Sequence, residues 1–119
     1  MHYDIRDEKL AEQGILKIEW ASWHMPVLRE IAERFSQERP FLGLKIGASL
    51  HITSETANLL KALKAGGAEV ALCGANPLST RDEISASLVV HEEIPTFAFF
   101  GETREEYYRH MRDILSFKP

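Results

Sequence analysis

The sequence predicts an α/β domain: a small parallel sheet with helices on both faces, preceded by two N-terminal helices. Two observations carry the prediction. From Leu42 onward, apolar runs short enough to be strands alternate with stretches of helical spacing. Those runs lack polar/apolar alternation, as expected of strands covered on both sides. The first of them leads into Gly47-Ala48-Ser49-Leu50-His51-Ile52-Thr53-Ser54-Glu55-Thr56, where polar groups gather just as a helix begins. Open α/β sheets place their ligand-binding loops at such strand ends.

Composition sets the outer bounds. A chain of 119 residues holds one domain at most and a modest core. The hydrophobic fraction of 45% and charged fraction of 27% are those of an ordinary globular protein. A net charge of -4 argues against a nucleic-acid partner. No apolar run is long enough to span a membrane, and the polar start Met1-His2-Tyr3-Asp4 is unlike a signal peptide. The single cysteine, Cys73, excludes an internal disulfide and fits a reducing compartment. The expectation is a soluble, cytoplasmic protein with no nucleic acid or membrane to bind.

Asp7 to Trp23 are helix-prone, with Leu10, Ile15, Ile18 and Trp20 among charges and Gly14 as a weak point. Met25-Pro26 interrupts the pattern, and proline suits the first turn of a second helix. Val27, Leu28, Ile31, Ala32 and Phe35 give that helix an apolar face, and Arg39-Pro40 stops it. His24 reads either as a ligand group or, more simply, as a partly buried histidine at the helix junction. Leu42 to Leu50 read as a buried strand. A helix from about Thr53 carries Thr56, Leu59, Leu60 and Leu63 on one face and ends at Gly66-Gly67. Glu69 to Cys73 form the second strand, and Cys73 itself reads as buried and inert. Thr80-Arg81-Asp82-Glu83 has the pattern of a capping box opening a helix that ends near His91. Thr96 to Phe100 are a short aromatic strand, and Thr103-Arg104-Glu105-Glu106 is a second capping box for the last helix.

These elements form a three-layer, flavodoxin-like arrangement. Three parallel strands leave two open edges, a liability that native sheets avoid, so the domain is expected to be incomplete. The free edge of the aromatic strand is expected to pair with a second copy or to swap an element.

The chemistry-bearing residues lie at strand C-terminal ends. His51, Thr53, Glu55 and Thr56 follow the first strand, while Asn76, Ser79, Thr80 and Asp82 follow the second. In a doubly wound sheet the two loops are neighbours around one crevice. Histidine titrates near neutral pH and serves as acid or base. Thr53 and Asn76 offer donors and acceptors, and Glu55 an acceptor for an amino group. The same residues also read structurally, with Thr53 and Ser54 capping a helix, Glu55 at its positive end and His51 packed. The sequence has no G-x-G-x-x-G, no P-loop, no zinc spacing and no G-x-S-x-G.

The segment from Gly47 to Ala57, followed by Gly67-Ala68-Glu69-Val70, resembles the S-adenosylhomocysteine hydrolase family, whose pattern is Leu-His-Met-Thr-x-Glu/Gln-Thr-Ala and then Gly-Ala-Glu-Val. Asn76-Pro77-Leu78-Ser79-Thr80-x-Asp82 is similar to that family's Asn-x-x-Ser-Thr-Gln-Asp, in an archaeal-like form. Met25-Pro26, Ile94-Pro95 and Gly101-Glu102-Thr103-x-Glu105-Glu106-Tyr107 fit as well, so the resemblance covers nearly the whole chain.

The resemblance implies the first part of a substrate-binding domain. The family reversibly cleaves S-adenosylhomocysteine to adenosine and homocysteine, with a tightly bound NAD that oxidises the ribose 3′-hydroxyl. By the same resemblance His51 is the acid/base near the 5′ position, Thr53 contacts the nucleoside, Glu55 accepts from the adenine amino group, and Thr56 and Asn76 line the site as support. A homo-oligomer is expected from the open strand edge. Departures are Ile52 for methionine, Arg81 for glutamine and Ala75 for a frequent cysteine. The family's remaining catalytic residues and its NAD-binding domain lie beyond Pro119, so this chain is expected to bind no NAD and to be inactive alone. The competing readings are a stand-alone α/β module binding a small molecule or a protein without catalysis, and, more distantly, a flavin binder.

Overall fold

The computed structural model describes residues 1–119. Asp7 opens a single 3-10 turn, Glu8–Leu10, by accepting from the Lys9 amide, and the chain continues into α1 (Ala11–Ser22). Pro26 occupies the first turn of α2 (Pro26–Glu38), which ends on Arg39 in the left-handed conformation, φ 48°. Then follow β1 (Lys45–Leu50), α3 (Ser54–Ala65), β2 (Glu69–Gly74), α4 (Asp82–Val90), β3 (Thr96–Phe97) and α5 (Arg104–Ser116). The strands form one parallel sheet in the order β1-β2-β3.

Burial divides by the pleat of β2. Val70 and Leu72 point into a core built with Ile18 of α1, Leu60 of α3, and Ile84 and Leu88 of α4. Ala71 and Cys73 point the other way and meet Phe97 of β3 and Ile114 of α5. Successive strand residues face opposite layers, and both layers here are apolar. That is why β2 reads as an unbroken apolar run. The α1–α4 crossing is unusually close: a Cβ on Gly14 would lie 1.9 Å from the Glu83 carbonyl oxygen. Gly14 is thus the residue that lets the two helices meet, rather than a weak point in a helix.

Four expectations are corrected. The first strand is shorter than Leu42 to Leu50, and it is not buried: along β1 exposed residues alternate with half-buried ones, because it is an edge strand. The aromatic strand shrinks to Thr96–Phe97, since carboxylates take the next amides away from the ladder. The Phe99 amide donates to Glu102 Oε1 (3.3 Å) and the Phe100 amide to Asp82 Oδ1 (2.9 Å). The Thr80 capping box does not form; Arg81 is the N-cap of α4 without a side-chain bond, and the Thr80 hydroxyl is buried with no partner. The second box forms fully, Thr103 Oγ1 accepting from the Glu106 amide and Glu106 reaching back to the Thr103 amide.

The fourth correction concerns the outer edge of β3, which is not open. Asp4 forms a parallel bridge with Phe97: its amide donates to the Thr96 carbonyl (3.0 Å) and its carbonyl accepts from the Ala98 amide (2.9 Å). Its side chain completes the latch. Asp4 Oδ2 lies 2.7 Å from both Arg109 Nη2 and His110 Nε2 on α5. Behind them the buried Glu102 carboxylate stands 3.3 Å from His110 Nδ1, without hydrogen-bond alignment.

Burial raises the Asp4 carboxyl, but the hydrogen bonds from His110 and Arg109 outweigh it, and the net position is below the usual carboxylate range. A carboxyl lowered on folding contributes stability above its unfolded pKa, and that contribution is lost as pH falls through the folded value. Glu102 has the opposite sign: burial raises it and the nearby His110 offsets this only in part. Asp4→Ala is expected to cost about 1–3 kcal/mol at neutral pH. It should also flatten the acid limb of denaturation midpoint against pH; a limb parallel to the parent's would refute the role. Gly14→Ala is expected to destabilise by about 1–3 kcal/mol or more through overpacking. Thermal melting checks this, and an unchanged midpoint would contradict the close crossing.

Candidate functional site

The site is built on a continuation of the β1–β2 ladder beyond the strands. Leu50 pairs with Gly74 at the C-terminal ends. Past them the Ala75 amide donates to the Leu50 carbonyl (3.0 Å), the Ile52 amide to the Ser79 carbonyl (2.9 Å), and the Arg81 amide to the Ile52 carbonyl (3.0 Å). Ile52 and Thr80 thereby form a parallel bridge. Ile52 is fully buried against the larger core. Its neighbours on either side are turned the other way by strand alternation. The two polar loops are neighbours, as expected, but not around a single crevice: His51, Thr53, Ser79, Thr80 and Asp82 share one groove, Glu55 lines a second, and Thr56 and Asn76 line neither.

Two adjoining grooves open there. One, of about 580 Å³, is lined by His51, Thr53, Ser79, Thr80 and Asp82, with Phe100 at its margin. The other, of about 510 Å³, runs between Leu16 and Trp20 of α1 and Thr53, Ser54 and Glu55 at the start of α3. Thr53, Arg81 and Glu83 line both.

Thr53 takes an extended backbone (φ −120°, ψ 171°) as the N-cap of α3, and its Oγ1 accepts from the Thr56 amide at 3.3 Å. The Thr53 hydroxyl also donates to Thr56 Oγ1 at 3.3 Å, which puts Thr56 behind Thr53. Glu55 is exposed in the first turn, where the helix dipole favours a carboxylate. Asn58, buried one turn on, donates to the Ile18 carbonyl (3.0 Å) and the Ser54 carbonyl (2.9 Å), so the start of α3 is held against α1. His51 is exposed at the mouth of the first groove.

The loop after β2 is shaped from within. Asn76 Oδ1 accepts from the Leu78 amide (2.9 Å), and Ser79 Oγ donates to the Asn76 carbonyl (3.0 Å). The Tyr107 hydroxyl, from α5, donates to the Ala75 carbonyl at 3.0 Å. Thus His51 meets Thr53 in one groove and Glu55 meets Thr53 in the other, whereas the Asn76 side chain folds its own turn and lines neither.

Sequence reasoning did not find Trp20, Lys17 or Glu83 at this place. Lys17 Nζ on α1 pairs with Glu83 Oε1 at 3.0 Å. Burial raises the Glu83 carboxyl, but the Lys17 hydrogen bond and charge, with help from Arg81, bring it below its ordinary value. No local motif marks such a pair; only the α1–α4 crossing brings it together. Cys73 is buried, and burial pushes its thiol up, as an inert cysteine requires. His24 is exposed, not partly buried: its ring lies 4.1 Å from that of Trp20, and Nδ1 stands 2.9 Å from the Trp20 carbonyl oxygen.

Comparison with known proteins bears directly on this arrangement. Residues 2–119 match the family described as S-adenosyl-L-homocysteine hydrolase. The chain is 56% identical over 119 residues to an adenosylhomocysteinase of Aquifex aeolicus and 53% identical to one of Sulfurisphaera tokodaii, covering 100% of this chain and 28% of each relative. It is 52% identical over 117 residues to an S-inosyl-L-homocysteine hydrolase of Methanopyrus kandleri, covering 98% of this chain and 27% of that one. The chain therefore spans a little over a quarter of the length of these relatives. Matched along nearly its whole length, it belongs to the S-adenosyl-L-homocysteine hydrolase family.

Proposed function

We propose that this chain supplies one wall of the nucleoside pocket of an enzyme that reversibly converts S-adenosylhomocysteine and water to adenosine and homocysteine. The observation that carries the reading is the placement of the family segment His51-Ile52-Thr53-Ser54-Glu55: buried Ile52 anchors it, and His51, Thr53 and Glu55 all line the paired grooves. In this reading His51 exchanges a proton near the 5′ position, where the thiol leaves or water enters. Thr53, shared by both grooves, contacts the nucleoside, and Glu55 accepts from the adenine amino group. Thr56 supports Thr53 through its hydroxyl and amide. Asn76 acts indirectly, by holding the turn that carries Ser79.

NAD, which supplies the oxidation of the ribose in the intact enzyme as we propose it, does not fit these residues. The turn from β1 into α3, His51-Ile52-Thr53, has no glycine, and α3 opens with a carboxylate, Glu55. A dinucleotide pyrophosphate needs close backbone approach and a helix start free of negative charge. No step through NAD is assigned to this chain. No helix is long and apolar enough to cross a membrane, and we place the intact enzyme in the cytoplasm.

The chain alone is expected to bind adenosine weakly and to release no thiol from S-adenosylhomocysteine when NAD is added. Turnover in that assay would overturn the partial-site reading. Glu55→Gln, which can turn a donor towards the base, is expected to shift preference from adenosine towards inosine by about tenfold, the order of one hydrogen bond to a charged group. Titration calorimetry with both nucleosides measures the ratio, and an unchanged ratio would remove Glu55 from base recognition.

A further inference from the structure

The two tryptophans near the end of α1 are both largely exposed, Trp20 at 67% and Trp23 at 69%, yet their settings differ. Trp23, the C-cap of α1, carries the Arg29 guanidinium 4.1 Å from its ring centroid and lines no groove with the start of α3. Trp20 lines the groove that also holds Thr53 and Glu55. One side of its indole is taken by the His24 imidazole, with centroids 4.1 Å apart and planes 35° apart. The core face of α1 is made by Ala11, Gly14, Ile18 and Ala21, so the fold does not need an indole at position 20. The equally exposed Leu16 lies in the same groove, so that α1 gives a largely polar groove an apolar wall.

We propose that Trp20 is the stacking platform for the purine base, a base-positioning residue on α1 that lies outside the β1–α3 segment. The inference rests on the nucleoside reading above and extends it to a residue in a different helix. A purine offers an edge and two faces. Glu55 addresses the edge, where an exocyclic amino group donates to the carboxylate; the indole side not occupied by His24 addresses a face. Stacking is tolerant of base identity because every base has a π-face. Trp20 therefore supplies affinity, and Glu55 supplies discrimination. Asn58, by bonding the Ile18 and Ser54 carbonyls, fixes the spacing between the platform helix and the start of α3.

The two roles separate in one experiment on the 119-residue chain. In a Trp23→Phe background Trp20 is the sole indole, and adenosine is expected to quench its fluorescence. Trp20→Leu is expected to weaken adenosine and inosine alike by about thirtyfold, at the middle of the range for one base–aromatic stack, with their ratio unchanged. Trp20→Phe should recover most of the loss. If Trp20→Leu fails to fold by circular dichroism, the quenching and the Trp20→Phe titration still decide. Adenosine binding with no quenching, or with parent affinity in Trp20→Leu, would overturn the platform and leave the nucleoside reading standing. Failure of the parent chain to bind either nucleoside at millimolar concentration would overturn both.

Discussion

Everything at the site depends on the backbone of one buried residue. Ile52 sits in the core with no exposed surface, so its amide and carbonyl must find partners inside the protein. They find them in the loop after β2, on the Ser79 carbonyl and the Arg81 amide. Those two bonds oblige the loop from Ala75 to Arg81 to lie alongside residues 51–53, and the loop's internal bonds at Asn76 and Ser79 give it the compact shape that reaches them. The polar crescent follows from an apolar anchor. With Ile52 committed to the core, strand alternation turns its neighbours outward, and the start of α3 then faces α1 across a groove.

A second set of constraints, all carboxylates, determines where the sheet stops. Glu102 and Asp82 capture the amides of Phe99 and Phe100, which would otherwise continue β3. Arg6 closes the same corner, donating to the Phe100 carbonyl at 2.6 Å and lying 3.9 Å from Asp82. Asp82 thus joins the N-terminal segment, the end of β3 and the start of α4. Glu102 is the costly member: it is buried, one of its oxygens lacks an aligned partner, and its carboxyl is raised. The return is a closed β3 edge, since the His110 that faces Glu102 also holds Asp4 in place.

Local signals in the sequence carried much of this. Pro26 at a helix start, Gly66-Gly67 at a helix end with Gly67 at φ +100°, the Thr53 cap and the Thr103–Glu106 box are each decided within a few residues. The contiguous run His51 to Thr56 was legible for the same reason. What failed was non-local. Thr80 has the right spacing for a cap, yet the bonds of Ile52 to the Ser79 carbonyl and the Arg81 amide hold Thr80 in a strand-like bridge, and the cap falls to Arg81. The length of β3 is not legible locally, because the carboxylates that take its amides, Asp82 and Glu102, lie outside the strand. Edge and centre strands could not be told apart in β1, where small residues hide the alternation. Trp20 and the Lys17–Glu83 pair reach the grooves only through the packing of α1 on α3, held by Asn58, and on α4, permitted by Gly14, which no periodicity reveals.

The charges around the grooves bear on what kind of ligand fits. Lys17 and Glu83 are paired at 3.0 Å, so neither is a free attractor. Glu55 and Arg81, both exposed, remain as one acceptor and one donor of opposite sign on the same groove. A helix N-terminus ordinarily draws phosphate, but here a carboxylate already occupies the first turn of α3, and a phosphate brought to it would meet like charge. A ligand that is uncharged overall and carries both donors and acceptors is matched to such a surface. The same layout explains why the glycine-free turn after β1 is no defect in a Rossmann-like sheet. That turn presents the side chains of His51 and Thr53 to the grooves, whereas a glycine-rich loop would present backbone in their place.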